Sequence, residues 1–267
     1  MRNTFKTISF LSIAAALSSG PMLSAAFAAS PLEATRPQTA RSSSTTDVLI
    51  YAGDAAAYDD PEALASIAES KGLTHRSVSS AELNQMSLDD LSKFGTIAWP
   101  GGYAGMMSDS LTQQTRDNIR RAVQERGVSF VGICAGAFIA VSPDTSWGFS
   151  LVKAETLPYY HLEDEGTDDA MVGVSMLQGG DRQLVWWGGP SLPEWQGGVI
   201  ARYSDNHQPA IAQTWAGNGL VILSGPHPEA PSNWRSKLGL DDSDGLDQEI
   251  AGQMLMAAAK QQPMDSQ

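Results

Sequence analysis

From Asp47 onward, short apolar runs alternate with amphipathic stretches along the chain. Asp47-Val48-Leu49-Ile50-Tyr51 predicts a first strand. Asp60 as N-cap, Pro61 at the first helical position and Gly72 as a stop predict a helix over 61–71. A weaker strand is expected at 74–78 and a short helix at 88–93. Thr96-Ile97-Ala98-Trp99 predicts a third strand, cut by Pro100-Gly101-Gly102. Ile119, Ala122 and Val123 share one face of a helix expected over 110–126, which Gly127 ends. An apolar fourth strand at 128–133 runs directly into Cys134, and 135–141 can be a helix starting at the cysteine.

Strand and helix thus alternate four times, the signature of a mostly parallel sheet covered by helices on both faces. Right-handed crossovers make it a doubly wound α/β fold. Sites in such sheets lie at the carboxyl ends of the strands, and Trp99, Cys134 and Ser224 stand at or near such ends. Between 148 and 213 the pattern changes. Strand-like runs at 171–177, 183–187, 199–203 and 210–215, separated by Gly and Pro, predict an antiparallel β-rich insertion before the last core strand at 220–223. A helix over 246–260 closes the chain.

The residues upstream of this pattern are of another kind. Arg2 and Lys6 precede an apolar run over 8–17, and Ala26-Phe27-Ala28 has the form of a cleavage site. Residues 1–28 are therefore expected to be a signal peptide, the run being too short to span a bilayer. Residues 29–46, rich in Ser, Thr, Ala and Pro, are expected to be a disordered leader. One domain is expected over 47–262, about 215 residues, enough for one good core. The mature chain is expected to be exported, periplasmic or secreted, with no membrane insertion after cleavage. The net charge of −13, from 17 Lys and Arg against 30 Asp and Glu, argues against nucleic acid and anionic membrane surfaces as partners. The single cysteine cannot form an internal disulfide.

The surroundings of that cysteine change its meaning. Gly132-Ile133-Cys134-Ala135-Gly136 has the form of a nucleophile elbow, with Cys in place of Ser, between a strand and a helix. The turn pushes the nucleophile out at the top of the sheet, and a helix N-terminus there favours the thiolate. A thiolate nucleophile needs a base. Gly225-Pro226-His227-Pro228-Glu229 follows the last core strand, which brings His227 to the same sheet edge. Glu229, two residues on, can hold the imidazole in one tautomer. The turn at Gly101 and Gly102 and the N–H of Ala135 are candidate oxyanion donors. Trp187, Gly188 and Gly189, in the segment Trp186 to Pro190, either line the substrate pocket or end a strand that buries aromatics.

Pro100-Gly101-Gly102, the cysteine turn and His227-Pro228-Glu229 together resemble the class I glutamine-amidotransferase superfamily. More narrowly, Trp99 to Gly102, Gly132 to Ala137, Trp187 to Pro190 and Gly225 to Glu229 look like the amidotransferase-like domain at the N-terminus of some biotin-protein ligases, of which exported stand-alone versions exist. The resemblance covers nearly all of the chain from Asp47. It implies a flavodoxin-like sheet and a Cys134–His227–Glu229 triad. It does not imply biotin ligation, and transfer of ammonia to a synthase is not expected.

No cofactor or metal is expected. Neither a phosphate-cradling Walker loop nor a dinucleotide fingerprint occurs. Asp241 to Gly245 lacks the acidic positions of a calcium loop. His161 with Glu163, Asp164 and Glu165 reads as a solvated acidic loop, and His75 and His207 as structural or exposed. The expected activity is hydrolysis of a small carboxamide or related amide through a thioester. Two alternatives stand beside it. One is a non-catalytic binding or assembly module on the same scaffold. The other is a redox or stress protein of the DJ-1/PfpI type, with Asp54 as the acid beside the thiol. The sequence assigns neither the substrate nor a protein partner.

Overall fold

The computed structural model describes residues 44–266 together with Leu32. The signal peptide expected over 1–28 lies outside the described residues, as does nearly all of the leader expected over 29–46. Nine strands form one sheet. They are β1 (Thr46–Tyr51), β2 (His75–Val78), β3 (Phe94–Trp99), β4 (Ser129–Ile133), β5 (Ala170–Met176), β6 (Gly180–Trp186), β7 (Val199–Tyr203), β8 (Pro209–Ala216) and β9 (Gly219–Ser224). Their order is β2-β1-β3-β4-β9-β8-β7-β5-β6. The first five in that order pair in parallel, and every pairing beyond β9 is antiparallel.

Burial explains the two halves. Strands β3, β4 and β9 are buried at every position, as strands covered on both faces must be. Alternation along β1 sends Leu49 and Tyr51 to one face and Val48 and Ile50 to the other, where they join separate cores. The second core is closed by α1 (Asp60–Ser70) and α8 (Gln248–Lys260), through Leu64, Ile67, Met254 and Leu255. The first is closed by α4 (Ala104–Asp109), α5 (Gln113–Gln124) and α6 (Ala135–Ala140). In the antiparallel half, β5 and the start of β6 are only half covered. The region expected as an insertion therefore extends the central sheet across its β9 edge.

Three helices were not expected. The helix expected over 110–126 is present as α5, and α4, which precedes it, was not expected. The chain breaks at Leu111 and restarts at Thr112, whose side chain caps α5 by accepting from the Thr115 N–H. The buried Arg116 guanidinium holds the break by donating to the carbonyls of Ser108 and Leu111. Two short helices, α2 (Ser80–Leu83) and α3 (Leu88–Leu91), each carry a full capping box, and α2 was not expected. Nor was α7 (Ser232–Leu238), which lies over the candidate site.

The parallel register sets the site. Trp99 is level with Gly132 across β3 and β4, and Ile133 with Ser224 across β4 and β9. The segments beginning at Pro100, Cys134 and Gly225 therefore leave the sheet side by side.

Candidate active site

Cys134 connects β4 to α6 with φ 49° and ψ −105°. A non-glycine residue in this region carries backbone strain, which persists only where the surroundings enforce it. The enforcement is visible. The Cys134 N–H donates to the Ser224 carbonyl at 2.8 Å. A Cβ on Gly132 would lie 2.6 Å from the Gly136 carbonyl oxygen, and one on Gly136 would lie 2.4 Å from that of Trp99. Only glycine at both positions lets the turn close this tightly. The thiol is buried and donates to the Trp187 carbonyl at 3.4 Å.

His227 is held beside it from three directions. Its N–H donates to the Val185 carbonyl of β6 at 2.7 Å. Its Nδ1 pairs with Glu229 Oε1 at 2.7 Å, both groups being buried. The Trp234 ring of α7 lies 5.1 Å from the imidazole, and Trp187 meets Trp234 edge-on at 5.5 Å. Nε2 has no hydrogen-bond partner among the described residues, so it is the nitrogen left to face the Cys134 sulfur. Burial disfavours the imidazolium, but the sulfur and, less strongly, the Asp60 carboxylate favour it, and His227 is raised on balance.

Asp60 was expected to cap α1. Instead Asp59 precedes the helix in a left-handed conformation with no side-chain cap, and Asp60 is the first helical residue with its carboxyl fully buried. Its Oδ2 accepts the Gly101 N–H at 2.8 Å. Its other oxygen, Oδ1, has no hydrogen-bond donor among the described residues, and neither has Glu229 Oε2. Burial raises both acids. Asp60 is raised well above the carboxylate range, with the Glu229 charge adding to the effect. Glu229 goes up to about 8, although its contact with Asp60 opposes the rise.

These facts divide the expected oxyanion and pocket residues. The Gly101 N–H is spent on Asp60, which removes it as an oxyanion donor. The Gly102 N–H takes no part in the bridge to Ala56 that Gly101 and Tyr103 make, and Ala135 N–H likewise donates to no group among the described residues. Trp186 is a core residue, with its Nε1–H given to the Gly189 carbonyl. Trp187 is 44 % exposed and stands at the mouth of the site. Gly189 packs where a Cβ would lie 2.0 Å from the Gly225 carbonyl oxygen, so it joins the two loops. Gly188, in the turn between them, has φ 66°.

Asp60, His227 and Glu229 offer ligand atoms within 4.8 Å of one another. However, Nδ1, Oε1 and Oδ2 are already committed to the hydrogen bonds above and Nε2 faces the Cys134 sulfur, which leaves two carboxylate oxygens for an ion. Asp54 is exposed, with its backbone held by Tyr51 and Ser80, and makes no contact with the thiol. His161 bridges Glu165 and Asp205 in an exposed loop. A cavity of about 480 Å³ lies at the amino ends of β1 and β3, lined by Arg76, Glu82 and Lys93 among others, and holds none of the candidate residues.

Gly101 packs directly against the imidazole. A Cβ there would lie 2.3 Å from His227 Cε1. Gly101→Ala is expected to displace the imidazole and slow alkylation of Cys134 by about 10²-fold, as misplacements near 1 Å do. Alkylation kinetics check this, with a melting curve to show that the fold survives.

No family model matches the sequence, and no curated protein matches it. Among solved structures, the chain is similar to a glutamine amidotransferase at 18% identity, covering 72% of this chain and 97% of that one, with TM-score 0.49. It is similar to a cytoplasmic protein from Salmonella typhimurium LT2 at 14% identity, covering 79% and 99%, with TM-score 0.51. It is also similar to a β-galactosidase from the Antarctic haloarchaeon Halorubrum lacusprofundi at 14% identity, covering 83% of this chain and 31% of that one, with TM-score 0.46. The likeness to the Salmonella protein shows a shared α/β fold.

Proposed function

We propose that this protein is a cysteine-dependent hydrolase of a small carboxamide or related amide, of the class I glutamine-amidotransferase type. The observation that carries the proposal is the strained Cys134 turn set beside a buried imidazole whose Nδ1 is bonded to Glu229 at 2.7 Å. In this chemistry the Cys134 thiol gives its proton to His227 Nε2 and attacks the amide carbon. His227 returns the proton to the leaving nitrogen, and water then cleaves the thioester. Glu229 keeps the second ring nitrogen protonated and steadies the imidazolium. The N–H groups of Ala135 and Gly102 are the proposed oxyanion donors.

The Trp187 to Pro190 motif supports a closer kinship with the amidotransferase-like domain of biotin-protein ligases. The apolar run over 8–17 and the cleavage site at 26–28 support an exported, periplasmic or secreted protein. The net charge of −13 supports a small molecule over a nucleic acid as its ligand. No helix among the described residues is long and apolar enough to cross a membrane.

The test is ammonia release from a panel of primary carboxamides, comparing wild type with Cys134→Ala. Release by wild type alone supports the reading, and equal release by both contradicts it. One observation favours a second reading. The thiol is covered and bonded to the Trp187 carbonyl, as a site that binds without turnover can be. On that reading ligand binding survives Cys134→Ser and no ammonia appears.

A further inference from the structure

Two carboxyl groups are fully buried beside the His227 ring, Asp60 from the first turn of α1 and Glu229 from the loop after β9. Each uses one oxygen in a charge-assisted bond, Asp60 Oδ2 with the Gly101 N–H and Glu229 Oε1 with His227 Nδ1. Each has one oxygen left without a hydrogen-bond donor among the described residues, and the two groups are in contact. A buried carboxylate oxygen facing another carboxylate is untenable unless something positive lies between them. A proton is the smallest such thing, and it converts two orphaned acceptors into one donor–acceptor pair.

We propose that Asp60 is a positioning residue of the candidate site, sharing one proton with Glu229 between their two unpartnered oxygens. The inference rests on the amide-hydrolase reading for its catalytic meaning, but the shared proton itself does not. The bond keeps one negative charge on the pair, which the His227 Nδ1–H requires as its acceptor. It also ties three loops together, because Asp60 grips the turn after β3 through Gly101 and the loop after β9 through Glu229.

The proton has a thermodynamic signature. In the unfolded chain both acids are ionised above the ordinary carboxylate range. In the folded chain burial raises both acids, so the pair holds its shared proton through a pH range in which the unfolded carboxylates have lost theirs. The native state then binds more protons than the unfolded state, so stability falls as pH rises through this window and levels off above it. His227 is the charged group facing the pair, with the Cys134 sulfur behind it. From the neighbouring elements, Asp59 pairs with Lys237 of α7, and Arg235 of α7 with Asp242 and Asp247. The β3 turn contributes only the uncharged Gly101.

An asparagine at position 60 can accept from the Gly101 N–H and donate to Glu229 as the protonated acid does, but it cannot titrate. The experiment follows denaturant unfolding of wild type and Asp60→Asn from pH 5.5 to 7.5. The wild-type unfolding constant should rise about tenfold more per pH unit than that of Asp60→Asn, the signature of one proton. Contributions from His227 common to both chains cancel. Equal slopes would overturn the proposal, as would one equivalent of zinc retained by the wild type and lost in Asp60→Asn. If Asp60→Asn does not fold, Glu229→Gln removes the other half of the pair and carries the same slope test. In parallel, Asp60→Asn should restore alkylation of Cys134 at least tenfold over Asp60→Ala, and no restoration would count against positioning. Wild-type labelling that does not depend on His227 would sink the hydrolase reading and leave the slope result standing.

Discussion

Replacing His227 by alanine should lower ammonia release from a carboxamide by about 10²–10⁴-fold, the usual worth of a positioned general base. The loss arises twice. Nε2 is the nitrogen left for the Cys134 proton, and no other base contacts the sulfur among the described residues. The same ring must then protonate the leaving nitrogen. The substitution also leaves the buried Glu229 carboxylate without its partner, so the rate is to be measured well below the melting midpoint of the variant. Initial-rate kinetics on a purified carboxamide check this. A loss smaller than about tenfold would mean that another group carries the proton.

Trp99→Ala should destabilise the fold by about 3–5 kcal/mol, the range for deleting a large buried aromatic side chain. Trp99 is fully buried at the end of β3. Its ring stacks on Tyr51 with centroids 4.0 Å apart and meets Phe149 edge-on at 4.7 Å. Its Nε1–H reaches Met107 Sδ at 3.2 Å. The Trp99 carbonyl is also the surface against which Gly136 packs. A cavity there would loosen the wall that holds the Cys134 turn. Denaturant unfolding checks the magnitude, and a cost under 1 kcal/mol would show that the neighbouring rings close the space.

The parallel half of the fold was legible because its signals are local and redundant. The β1, β3, β4 and β9 strands are short apolar runs bounded by Gly or Pro, and a doubly covered sheet requires that pattern. The glycines at 132 and 136 also announced the turn that their packing now explains. Other features were written in the sequence but not read. Ser79 and Glu82 form a capping box one turn long, and Pro231 with Gly239 bracket α7, a known start and stop pair. Asp60 was misread for a physical reason. Two aspartates precede Pro61, either one fits a cap, and only the tertiary contact with Gly101 and Glu229 sets them apart. Joining the antiparallel strands to the β9 edge was equally out of reach, since strand order depends on pairings far apart in sequence. The spending of the Gly101 N–H on Asp60 follows from the same contact.

The central claim is that Cys134 and His227 act as one unit. Intact-mass analysis of the protein exposed to a glutamine-like chloroketone tests it most directly, with wild type, Cys134→Ala and His227→Ala run side by side. The account predicts rapid addition of a single adduct to wild type, none to Cys134→Ala, and addition to His227→Ala slowed by at least about 10²-fold. Slow labelling of wild type at a rate unchanged in His227→Ala would contradict it, and Cys134 would then be an ordinary buried thiol.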